Sequence, residues 1–120
     1  LPNHVQRASR AAWLDEAHVV ANREAYRRKF AAVTPILRQA LDFPDPDGGF
    51  YHWITVPDGD DEAFARDLFA ARNITVLPGS YLGRDGPNGN PGRGHVRVAW
   101  VAPEADCITA ARDIAEFVQG

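Results

Sequence analysis

At 120 residues the chain is the size of one compact domain, and two independent cores are not expected. A hydrophobic share of 45% and a charged share of 24% exclude a disordered tail, a collagen-like repeat and a disulfide scaffold. The formal charge of -3, with scattered basic residues, excludes the electrostatic footprint of a nucleic-acid binder or an anionic-membrane binder.

In chain order, Val5 to Leu41 contains no glycine, and Tyr26, Phe30, Val33, Leu37 and Leu41 recur at the spacing of one helix face. A long helix is expected, kinked or briefly broken at Thr34-Pro35, where a capping residue precedes a first-turn proline. Its first part, with Trp13, Val20 and many arginines, extends past a small core and needs another surface; a self-contained helical hairpin is the alternative. Phe43 to Gly49 is dense in proline and glycine and stops the helix.

Phe50 to Val56 reads as a strand, and Asp58 to Asn73 as a helix with Asp60, Asp61 and Glu62 at the positive end of its dipole. Those acids enter a helix instead of surrounding a loop, so they are a poor metal site. Ile74 to Leu77 is expected as a short strand, Pro78 to Gly94 as a loop, His95 to Val101 as a strand, and Pro103 to Val118 as an amphipathic helix. The order α-β-α-β-β-α implies an α+β fold: a long N-terminal helix, then a small, mostly antiparallel sheet of about three strands covered by helices. Residues 1–41 form a helical arm and residues 42–120 a domain.

Alternation on the last strand sets Val96, Val98 and Trp100 on one face and His95, Arg97, Ala99 and Val101 on the other. The planar fork of Arg97 suits a carboxylate, although an arginine on a solvated sheet face has the same pattern. The glycine-rich loop from Gly79 to Gly94 matches neither the Walker nor the dinucleotide fingerprint, and Arg84 and Arg93 could present charge from it. A loose surface connection is the plain alternative. His4, His18, His52 and His95 have no zinc-ligand spacing. Asp15 and Glu16, read as helix neighbours, point about 100° apart and cannot act as an acid and base pair. Ser80 lacks the setting of a nucleophile elbow.

The lone Cys107 fits a reducing, cytoplasmic compartment. No stretch approaches the roughly 20 apolar residues of a membrane span, and Leu1 to His4 lacks the build of a signal peptide. The chain has no methionine, so a piece of a longer protein is expected.

AAWLDEAHVVANREAYRRKF, GGFYHWITVP and VLPGSYLGRDGPNGNPGRGHVRVAWVAP together resemble the C-terminal part of a pyridoxal-phosphate aminotransferase of the aspartate aminotransferase fold class. Within that class they are most similar to the N-succinyldiaminopimelate aminotransferases. The resemblance implies that Arg97 binds the substrate α-carboxylate, and that Gly49, Phe50, Gly79 and Ser80 line the cleft mouth. Arg84 would meet the distal carboxylate of a succinylated amino/oxo dicarboxylate. It also implies an upstream large domain, a homodimer, and pyridoxal phosphate in the intact parent but not on this piece. The only lysine, Lys29, lies outside the family's Schiff-base context, so the chain alone is expected to be inactive. A free-standing, non-catalytic binding or interaction domain of the same build is the competing reading, with a third being a related aminotransferase of different acceptor.

Overall fold

A computed structural model describes residues 1–120. Its elements are α1 (Asn3–Leu14), α2 (Glu16–Leu37), β1 (Tyr51–Thr55), α3 (Asp61–Arg72), β2 (Leu77–Pro78), a 3-10 turn (Gly79–Tyr81), β3 (His95–Ala99) and α4 (Glu104–Gln119). The expected α+β class is found, with one small antiparallel sheet.

The long N-terminal helix is interrupted, but at Asp15 and not at the proline. Asp15 is extended at φ -90° and ψ 92°, and its side chain accepts the Ala17 amide at 3.1 Å, capping α2. Asp15 is therefore a cap between two helices, and its carboxylate meets His18 Nδ1 at 3.1 Å. The bond from His18 is the main influence on this exposed carboxyl and holds it below the usual range. Pro35 lies inside α2, which runs through it to Leu37. The missing proline N–H removes one ladder bond in the last turn. The next amides recover the pattern, with Arg38 N donating to Thr34 O at 3.0 Å.

The strand order is β1-β3-β2, with both pairings antiparallel. Trp53 of β1 and Leu77 of β2 both stand opposite Arg97 on the central strand. The segment from Ile74 to Val76 does not pair, contrary to expectation. Asn73 closes α3 in the left-handed conformation at φ 55°, and the chain reaches pairing distance only at Leu77. Pro78 is tolerated because β2 is an edge strand.

The hydrophobic core lies on one side of the sheet. Val33 and Leu37 of α2, Phe64 and Leu68 of α3, and Ala111 and Ile114 of α4 close over Ile54, Val96, Val98 and Trp100. Within this core His52 is fully buried, accepting at Nδ1 from Trp100 Nε1 at 2.7 Å. That bond leaves the ring proton on Nε2, which faces Thr34 Oγ1 at 3.2 Å. Phe30 and Phe43 meet the imidazole edge-on, each at a ring separation of 4.8 Å. On the opposite face of the sheet stand Tyr51, Trp53, His95, Arg97 and Ala99, with no helix above them. Helix α1 buries no residue, and Trp13 is 84% exposed.

Candidate functional site

Arg97 sits in the middle of that uncovered face, on the central strand. Its guanidinium carbon lies 5.5 Å from the Tyr51 ring centroid, inside cation–π range. Its Nε is buried and has no hydrogen-bond partner. No ion pair of the chain involves Arg97. A buried donor left unmade costs about 1–3 kcal/mol, which an incoming carboxylate would recover.

Aromatic side chains connect this arginine to both turns expected at the cleft mouth. Phe50 meets Tyr51 edge-on at 5.4 Å, and Gly49 before it takes φ +91°, a conformation that glycine adopts without strain. Trp53 stacks on His95 at 5.3 Å with 12° between the rings. Gly79 abuts the outer edge of Trp53: a Cβ there would stand 2.8 Å from both the indole ring and His95 O, and would also meet Gly92 O. The Gly79→Ala variant is therefore expected to lose about 1–3 kcal/mol, read as a lower urea midpoint in equilibrium unfolding.

Gly49 and Phe50 also line a second, separate groove, between the turn at residues 45–50 and the α2 side chains Arg23, Tyr26 and Phe30. Neither Arg97 nor Gly79, Ser80 or Arg84 reaches it. Arg84 is exposed in the loop and has no hydrogen-bond or ion-pair partner, whereas Arg93 approaches Asp85 at 4.0 Å.

The loop from Gly79 to Gly94 is built from defined bonds. Asn90 donates from Nδ2 to Ser80 O and accepts the Gly92 amide at Oδ1, both at 2.9 Å. Gly86 and Gly89 exchange backbone bonds of 3.1 and 3.0 Å in a tight turn. Asp61 closes the base of the loop, its carboxylate accepting the Ser80 amide at 2.9 Å and the Gly94 amide at 3.2 Å. Burial pushes this carboxyl up, but the bonds from Ser80 and Gly94 together outweigh it and hold it below its ordinary value. No cluster of three or more His, Cys, Asp or Glu side chains is gathered to hold a metal ion. No helix is long and apolar enough to cross a membrane.

Residues 1–114 match the family model for aminotransferase class I and II. The chain belongs to that family. Among solved structures, it is similar to an aminotransferase from Neisseria meningitidis, at 55% identity and a TM-score of 0.90. That match covers 95% of this chain and 29% of the Neisseria chain. It is also similar to a probable N-succinyldiaminopimelate aminotransferase from Thermus thermophilus, at 28% identity and a TM-score of 0.71, covering 89% of this chain and 27% of that one. A Mycobacterium tuberculosis protein named as a probable aminotransferase is 37% identical over 109 residues, which are 87% of this chain and 23% of its own length. This chain thus spans less than a third of each of these aminotransferases.

Aminotransferase chemistry in this family uses a lysine amine and pyridoxal phosphate, and the residues present here do not fit that role. The only lysine, Lys29, donates from Nζ to Trp100 O at 3.0 Å and stands 4.7 Å from the Tyr26 ring centroid. It secures α2 to the segment that follows β3. No motif in the sequence marks Tyr51, Trp53 or Asn90 as a site residue. Asp61 alone carries a signal: three acids in succession, Asp60, Asp61 and Glu62, stand at the start of α3, and one cap needs only one of them.

Proposed function

We propose that this chain is the small-domain portion of a pyridoxal-phosphate-dependent transaminase, in which Arg97 binds the α-carboxylate of an amino or oxo dicarboxylate. The observation that carries this reading is the Arg97 guanidinium, held over Tyr51 with a buried Nε and no anionic partner within the chain. Such a group orients a carboxylate through two parallel bonds, and Tyr51 beneath it limits the approach to one side. Trp53 and Leu77 stand opposite Arg97 on the two neighbouring strands. The chain supplies the grip on the substrate, while the cofactor, an electron sink when bound, is held by an upstream large domain. No step of the chemistry is assigned to this chain, and alone it is inactive.

Residues 1–41 act in this reading as an arm bridging the two domains, and residues 42–120 as the small domain. The intact enzyme is a cytoplasmic homodimer, a reading that rests on family resemblance and the single cysteine. For the substrate, we favour an N-succinylated amino/oxo dicarboxylate with glutamate as the amino donor, in lysine and diaminopimelate synthesis. The likeness to the Thermus protein supports this choice, and so does the unpaired Arg84 on the loop, available to a distal carboxylate.

Steady-state turnover of the full-length protein with succinylated and free dicarboxylic amino acids tests the proposal. Higher kcat/KM is expected for the succinylated compound. Arg84→Ala is expected to reduce that preference by about tenfold, the worth of one exposed charge-assisted bond. Equal turnover of both compounds would leave a transaminase of another acceptor. No amino transfer at all with added pyridoxal phosphate would favour a non-catalytic binding domain.

A further inference from the structure

Asp61 is 2% exposed, and no cation stands within ion-pair distance of it. A buried carboxylate without a counter-ion must be held by donors, and its two are the amides of Ser80 and Gly94. It is not needed as the cap of α3, because Asp60 already accepts the Ala63 amide at 3.0 Å. Ser80 follows β2 and Gly94 precedes β3. One carboxylate therefore ties the exit of the strand beside Arg97 to the entrance of the strand that carries it.

The strand β2 is two residues long, and one of its two pairs is Leu77 with Arg97. So short an edge strand does not hold its own register and depends on what anchors its end. The turn that Asp61 anchors also supplies the wall of the site, since Gly79 abuts Trp53, Trp53 stacks on His95, and Trp53 faces Arg97 across the ladder. Gly94 takes φ +81°, and its carbonyl accepts the Val56 amide at 2.9 Å, so the start of β3 is fixed from two directions.

We propose that Asp61 is a positioning residue for substrate binding: through the Ser80 and Gly94 amides it fixes β2 and the start of β3 in the arrangement that aims the Arg97 guanidinium. The inference rests on the reading of Arg97 as the α-carboxylate group. Asp61 touches no substrate. It acts by keeping the floor and wall around the arginine from shifting, and a misplacement of about 1 Å costs on the order of a hundredfold in rate.

The test compares kcat/KM of the full-length enzyme for L-glutamate and for its α-amide, which lacks the α-carboxylate charge. Wild type favours glutamate, and Arg97→Ala should collapse the ratio. Should Arg97→Ala leave the ratio intact, the carboxylate reading falls and takes this inference with it. Given that collapse, Asp61→Asn is expected to shrink the ratio by about tenfold to a hundredfold, through a raised KM for glutamate, with the α-amide nearly unaffected. A purely structural Asp61 would reduce the folded fraction and depress both substrates alike, and an unchanged ratio overturns the proposal while leaving Arg97 in place. If Asp61→Asn does not accumulate folded, Asp61→Glu keeps the charge and displaces both bonds to the Ser80 and Gly94 amides. The same contraction is expected there, and an unchanged ratio again overturns the proposal.

Discussion

Replacing Arg97 with alanine is expected to lower kcat/KM for α-carboxylate substrates of the full-length enzyme by about a hundredfold to a thousandfold, because a desolvated charge pair that loses one partner costs about 2–5 kcal/mol. Stability should move little or even rise. The wild-type side chain keeps a buried Nε without a partner, and truncation removes that liability along with the cation–π contact to Tyr51. Arg97→Lys should recover only part of the loss, since an ammonium keeps the charge but cannot present two parallel donors. Initial rates and urea unfolding on the same preparations check both halves. A variant that loses stability in step with activity would make Arg97 a structural residue.

The second large effect is one of pH. Burial, with a smaller push from the Arg38 charge and an opposing pull from Asp45, lowers the His52 pKa from 6.5 to about 4. Above pH 6.5 the ring is neutral in both folded and unfolded chains, and its bonds to Trp100 and Thr34 are intact. As pH falls from 6.5 toward 4, the unfolded chain takes up a proton that the folded one refuses, so stability falls. The loss levels off below pH 4 at about 3 kcal/mol, a large share of what a domain of this size has to lose. Urea unfolding of the protein across this range should trace the decline, and His52→Phe should flatten it. That variant also orphans Trp100 Nε1 at a cost of about 1–3 kcal/mol at neutral pH. A slope that survives the substitution would assign the acid sensitivity to other groups.

Much of this architecture is legible in the sequence because local patterns decide it. The acids and the capping Asp60 mark α3, the apolar stripe marks α4, and strict alternation sets Arg97 on the face opposite Val96 and Val98. The departures fall where backbone conformation or distant residues decide. Asp15 sits in an unbroken helical pattern and looks like any exposed acid. Only its extended backbone makes it a cap, while Pro35, the louder signal, is absorbed near a helix end. β2 consists of the residues that meet β3, and neither Leu77 nor Pro78 declares that on its own. Tyr51 and Trp53 enter the site through the register of β1 against β3, which no local pattern encodes. Asp61 differs from Asp60 only because residues 80 and 94 return to it.

The sheet order also sets a sequence of events during synthesis. β1 and β2 emerge first, yet they share no ladder, because the strand that joins them is the last of the three to be made. Chains grow at about 5–20 residues per second, so for seconds an incomplete chain holds β1, with Tyr51 and Trp53, and β2 without the strand that pairs them. When His95 to Ala99 slots between them, both ladders close and the arginine takes its place at the same moment. A nascent chain stalled before that point lacks both Arg97 and the central strand on which the two ladders depend.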